Sequence, residues 1–96
     1  MAVSTIPNPN KGDVITYTVS KESVSISANS FADVSIPFSI PSGYTNIGIM
    51  RATFSSSWCV PFNVYISGSN VVVSVRNYSG GASSGTAYVI FLLKKN

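Results

Sequence analysis

The stretch VITYTVS (Val14–Ser20) decides the fold. Ile15, Tyr17 and Val19 fall on one parity, and Thr16, Thr18 and Ser20 on the other. A period of two sends successive side chains to opposite faces of a pleated strand, one toward a core and one toward water. Working outward, SVSISA places Val24, Ile26 and Ala28 together, with Lys21-Glu22 read as the turn before it and Asn29-Ser30 as the turn after it. FADVSIPFSI sets Val34, Ile36, Phe38 and Ile40 on one face. Pro37 cannot donate to a ladder, so this segment reads as an edge strand or carries a bulge.

The turn PSGY (Pro41–Tyr44) leads into NIGIMRATF, with Ile47, Ile49 and Arg51 on one face and Met50, Ala52 and Phe54 on the other. Ser55-Ser56-Ser57 breaks the pattern, and VPFNVYIS groups Phe62, Val64 and Ile66. Gly68-Ser69-Asn70 is a tight hairpin signal. VVVSVRN alternates Val71, Val73 and Val75 inward with Val72, Ser74 and Arg76 outward, and the tract YSGGASSG opens the final segment TAYVIFLLKK. No segment carries apolar residues at helical spacing. Seven to eight short strands every eight to twelve residues predict an all-β fold, an antiparallel β-sandwich with jelly-roll or immunoglobulin-like connectivity. Residues 1–11, with Pro7 and Pro9, read as an extended arm or linker, and 12–96 as a single β-sandwich domain.

One segment does not alternate. In AYVIFLL (Ala87–Leu93) apolar residues run without a polar partner. Its second face is covered either by a long loop over a central strand or by another subunit.

The chain has 96 residues, 45% of them hydrophobic, which bounds it to one domain with a thin core. Charged residues make up 9%, far below the usual ~25%. Ser, Thr, Asn and Gly take their place. The net charge of +3 comes from six bases, of which only Lys94 and Lys95 are adjacent. Nucleic-acid binding needs a clustered basic face, so no nucleic-acid partner is expected. The single cysteine, Cys59, sits between Trp58 and Val60 and reads as a small buried hydrophobe. The opening MAVSTIPNPNK lacks the apolar core of a secretory signal, and AYVIFLL is far shorter than the ~20 residues of a membrane helix. Synthesis in a cytoplasm without a signal peptide, and no membrane insertion, are the expectations.

The chain contains no His, which removes a Ser–His–Asp triad and most metal sites. The acids are Asp13, Glu22 and Asp33, in positions typical of turn and capping carboxylates. No catalytic residue, metal site or cofactor is expected, and the chain reads as a non-enzyme. SGGASSG lacks the Lys-Ser/Thr end of a phosphate loop, and Asn77-Tyr78-Ser79 fits the glycosylation acceptor pattern. Aromatic residues remain. Trp58, Tyr44 and Tyr78, with Arg51, are the candidate contacts for a sugar ring or a protein surface. The plainer reading is that they cap the open ends of a thin sandwich.

GYTNIGIM and SGSNVVVSVRNYSGGASSGTAYVIFLLKK carry a resemblance. The Gly43-Tyr44 turn enters an apolar strand. The alternating strand Val71–Val75 ends in Arg76-Asn77. A Ser/Gly/Ala turn (Ser79–Gly85) and Thr86 then lead to the apolar strand Ala87–Lys95. This resembles the small C-terminal β-sandwich domains of tail-fibre or minor tail structural proteins from phages and prophages of gut Firmicutes, over roughly residues 20 to 95. KESVSISANSFADVSI suits the first hairpin of that family. Trp58-Cys59 departs from its pattern.

The resemblance implies a virion component, a tail fibre, tail tip or decoration. It implies a homo-oligomer, a trimer in the first instance, with the Tyr88, Ile90 and Leu92 face of the last strand at the subunit contact. It also implies a cell-surface glycan or protein as receptor. Two other readings stand beside it: a monomeric carbohydrate-binding β-sandwich module of a bacterial surface protein, and a purely structural capsid-decorating protein.

Overall fold

A computed structural model describes residues 2–4 and 9–96. The regular structure in them is all β and all antiparallel. The strands are β1 (Ala2–Ser4), β2 (Val14–Ile26), β3 (Phe31–Pro37), β4 (Tyr44–Phe54), β5 (Cys59–Ser67), β6 (Asn70–Asn77) and β7 (Ser83–Lys95). They form a four-stranded sheet in the order β1-β2-β7-β4 and a three-stranded sheet in the order β3-β6-β5. The passages β2 to β3, β3 to β4, β4 to β5 and β6 to β7 each change sheet, whereas β5 turns directly into β6. Of the arm expected over residues 1–11, residues 1 and 5–8 lie outside the described residues, and Ala2–Ser4 pairs as a strand with Thr16–Thr18.

One hydrophobic cluster draws on both sheets. Ile15, Tyr17, Val19 and Ile26 of β2 and Ala87, Val89, Phe91 and Leu93 of β7 meet Val34 and Ile36 of β3, Cys59 of β5, and Val71, Val73 and Val75 of β6. Phe91 is its largest fully buried side chain; Phe38 stacks on it at 4.9 Å between centroids and Tyr17 lies tilted against it at 6.2 Å. The Tyr17 hydroxyl donates to the Ser39 carbonyl at 2.8 Å, so a buried phenol keeps a partner. The two 13-residue strands β2 and β7 span about 40 Å at strand rise and set the long axis of a molecule measuring 49 × 25 × 18 Å.

Sequence alternation predicts most inward positions, and it fails where a strand bulges. The turn expected at Lys21-Glu22 is a bulge inside one continuous strand: the β2–β7 register shifts between Lys21 and Val24, and Ser23 takes a left-handed φ of 56°. In β4 the register shifts twice, between Asn46 and Gly48 and between Ile49 and Arg51. Each extra residue inverts the parity that follows. Ile49, Ala52 and Phe54 therefore oppose the inward Phe91, Val89 and Ala87, while Arg51 opposes Ile90 on the outer face. The expected split of Ile49 from Ala52 and Phe54 is corrected accordingly. In β5 the shift between Pro61 and Asn63 removes Phe62 from the Val64–Ile66 face. Val72 and Ser74 keep their expected outward parity yet are buried.

Pro37 ends β3 on the edge of the three-stranded sheet, where its missing N–H costs no ladder bond. The hairpin closes with Ser67 opposite Asn70, Gly68 at φ 59° supplying the left-handed residue.

Candidate binding surfaces

The strongest concentration of exposed aromatic surface lies on the outer face of the three-stranded sheet. Arg76, on central strand β6, stands directly opposite Phe31 on β3 and Val60 on β5. Directly opposite residues share a face with Cβ atoms ~5 Å apart. The bulge at Phe62 turns that ring outward, and Phe31 and Phe62 meet edge to face at 5.9 Å and 78°. Since β3 and β5 flank β6, this pair reaches across the central strand. Both rings remain more than half exposed, at 59% and 58%.

Past the strand ends, the Tyr78 N–H donates to the Trp58 carbonyl at 3.0 Å, which holds these two exposed residues side by side. The Arg76 guanidinium lies 5.3 Å from the centre of the Tyr78 ring, within cation–π range. Among the described residues it has no hydrogen-bond or ion-pair partner. The nearest acid along β3, Asp33, faces Ser74 and accepts its hydroxyl proton at 2.6 Å.

The loop behind this surface is ordered by Asn77, which is fully buried. Its amide nitrogen donates to the carbonyls of Ile26 (3.0 Å), Ser27 (3.3 Å) and Gly81 (2.9 Å), and its oxygen accepts from the backbone N–H and the hydroxyl of Ser79, both at 2.8 Å. The acceptor pattern Asn77-Tyr78-Ser79 thus has its amide nitrogen inside the fold and committed to three carbonyls.

The outer face of the four-stranded sheet carries the second face of AYVIFLL. Ala87, Val89, Phe91 and Leu93 face the core, while Tyr88 is exposed and Ile90 and Leu92 are half-buried on the opposite face. Across from these stand Ser20, Thr18 and Thr16 of β2 and Thr53, Arg51 and Gly48 of β4. The residues extruded by the two β4 bulges, Ile47 and Met50, are both about half exposed.

At the far end, Tyr44 opposes Lys95, is half-buried against the core, and has the Lys95 ammonium 5.1 Å above its ring. A recess there gathers Lys11, Lys94 and Lys95 with Thr45 and Asn96. Three of the six bases, which look scattered along the chain, come together at this point.

The four candidate contacts therefore separate. Trp58 and Tyr78 lie together, Tyr44 is at the opposite end of the four-stranded sheet, and Arg51 is on that sheet's outer face. Phe31, Phe62 and Arg76 belong with Trp58 and Tyr78 and were not singled out from the sequence. Phe31 shares parity with Asp33 and Ser35, so its outward direction was legible. Phe62 was not, because its direction depends on the bulge beside Pro61. Of the acids, Asp13 accepts from the Asn10 N–H at 2.9 Å in a turn, whereas Asp33 lies within β3 and not at its end. Among the described residues no three of His, Cys, Asp and Glu come together. No protein-family model matches the chain, no curated protein matches it, and no solved structure matches its fold.

Proposed function

We propose that this chain is a non-enzymatic β-sandwich module of a phage virion, from a tail fibre, tail tip or decoration, which assembles with copies of itself and contacts a ligand on the host surface. In this reading the two sheets stack face to face around their common cluster. Their connectivity is of the jelly-roll kind, since the chain changes sheet at every passage from β2 to β5, whereas an immunoglobulin-like fold would keep more hairpins within a sheet.

The observation that carries the assembly is the outer face of β7. Tyr88, Ile90 and Leu92, extended by Ile47 and Met50, make an apolar surface at the middle of a sheet, with Arg51 and Lys94 as its charges on β4 and β7. Apolar patches of this kind on small domains mark contact surfaces. The virion setting rests on the resemblance of residues 20 to 95, and the trimer follows from the same likeness.

The test is light scattering across a dilution series. The expected result is a concentration-independent trimer, converted to monomer by Ile90→Lys or Leu92→Glu. A monomer at all concentrations would overturn the assembly. The second reading, a monomeric carbohydrate-binding module, is favoured by the exposed Trp58–Tyr78 end, and that outcome would bring it forward.

A further inference from the structure

We infer that the Arg76 end of the three-stranded sheet binds a sugar bearing a carboxylate, with the sugar ring against the exposed aromatic side chains and its acid on the guanidinium of Arg76. The inference rests on the host-surface-binding part of the proposed function and names the ligand class for it.

The argument starts from what Arg76 lacks. Its guanidinium is an always-charged fork of five N–H donors. Here it rests on the Tyr78 ring, is held on a strand paired on both sides, and has no acceptor among the described residues. A partner that covered this face with apolar groups alone would strip water from an unpaired cation, which costs far more than the contact returns. An occupant that brings an anion therefore gains most, because a charge-assisted bond to the guanidinium is stronger than one to a neutral acceptor. A second copy docking the same face on itself would set Arg76 against Arg76.

The shape of the surface then separates sugar from peptide. Extended peptides add to an unpaired strand edge or lie in a groove. Arg76 is on β6, whose backbone is already bonded to β3 and β5, so a strand could add only at the outer edges of β3 and β5, beside the guanidinium and not over it. What the face offers is exposed aromatic surface. Phe31 and Phe62 make an edge-to-face pair, and Tyr78 and Trp58 stand at one end, each more than half exposed. Aromatic rings of this kind give a pyranose an apolar seat for its C–H face while its hydroxyls stay hydrated. A planar carboxylate meets the guanidinium in two parallel charge-assisted bonds. Affinity per site is modest, and repetition in an assembly would multiply it.

Trp58 is the single tryptophan of the chain and reports on the site directly. The full chain is titrated with methyl β-D-glucuronide, the methyl glycoside of N-acetylneuraminic acid, and methyl β-D-glucoside, following Trp58 emission and the chemical shift of its indole N–H. The acidic sugars are expected to saturate at concentrations about tenfold lower than the neutral one, a preference that added salt reduces. Arg76→Gln should remove the preference and leave the weak neutral binding, whereas Phe31→Ala should weaken both. Thermal melts of each variant separate lost binding from lost folding.

Equal binding of acidic and neutral sugars would overturn the carboxylate assignment while leaving a glycan-binding face. Response to penta-aspartate but to none of the sugars would overturn it in favour of an acidic peptide. No response to any probe would overturn the site altogether. None of these outcomes alters the mass measurement that tests assembly, so the two proposals fail separately.

Discussion

At Asn77 one side chain closes three segments. It joins the end of β2, the turn that follows, and the loop between β6 and β7, and its backbone N–H adds a bond to the Ser30 carbonyl at 2.8 Å. Parity with Val71, Val73 and Val75 sends it inward, so a polar group arrives in the core and must find partners there. Truncating it would take a partner from the Ile26 carbonyl and from the Ser79 N–H, while the Gly81 carbonyl keeps the Ser79 hydroxyl at 2.6 Å and the Ser27 carbonyl keeps the Ser30 N–H at 3.3 Å. Asn77→Ala is expected to cost about 2–3 kcal/mol in urea unfolding, because a fully buried amide that ties three segments together is lost from the interior. Asn77→Asp should cost at least as much, since a carboxylate would face the same three carbonyls. Phe91 is the apolar counterpart. It is fully buried between Phe38 and Tyr17, and Phe91→Ala should lose about 3–5 kcal/mol, a large fraction of the stability of a 96-residue domain. Loss of near-ultraviolet circular dichroism would register it.

Among the elements, β4 shows how bulges decide which residues a strand presents. Ile47 and Met50 are skipped by the ladder, so Ile49, Ala52 and Phe54 reach the core despite uneven spacing. Deleting Met50 closes one bulge and keeps those three inward. Deleting Thr53 reverses Phe54 toward solvent. The Thr53 deletion should therefore destabilise by about 2 kcal/mol more than the Met50 deletion, the burial of one large side chain, as thermal melts would reveal. The bulges also interrupt an edge that would otherwise offer an 11-residue template for strand addition. On β7, a Cβ at Gly85 would lie 2.6 Å from the Ser55 hydroxyl and 2.8 Å from the Phe54 ring. The same hydroxyl accepts the Thr86 N–H at 2.8 Å, so it is not free to move aside. Gly85→Ala should cost about 1–3 kcal/mol in denaturant titration, as overpacking does.

For the molecule as a whole, the two sheets distribute three distinct surfaces: an apolar stripe on one outer face, an aromatic and cationic cluster on the other, and a basic recess at the far end. Ile90→Lys acts on the first alone. Under the proposed assembly it should give a monomer, while shifting the thermal midpoint by no more than a few degrees, because Ile90 points away from the core.

Alternation and turn residues by themselves indicated the all-β class, the antiparallel arrangement of its segments, the inward set on β2, β3 and β6, Pro37 as an edge or bulge position and the hairpin at Gly68-Ser69-Asn70. Those follow from a period of two and from residues with restricted backbones, which are properties of neighbours along the chain. Tertiary structure alone decided that Lys21-Glu22 bends a strand instead of ending it, that Phe62 leaves its apparent face for Phe31, that Asn77 is a buried hub, and that Tyr44 and Trp58 lie apart. Each of those depends on which residue is left out of a ladder or on what stands opposite it. Neither is fixed until a second strand, distant in sequence, sets the register.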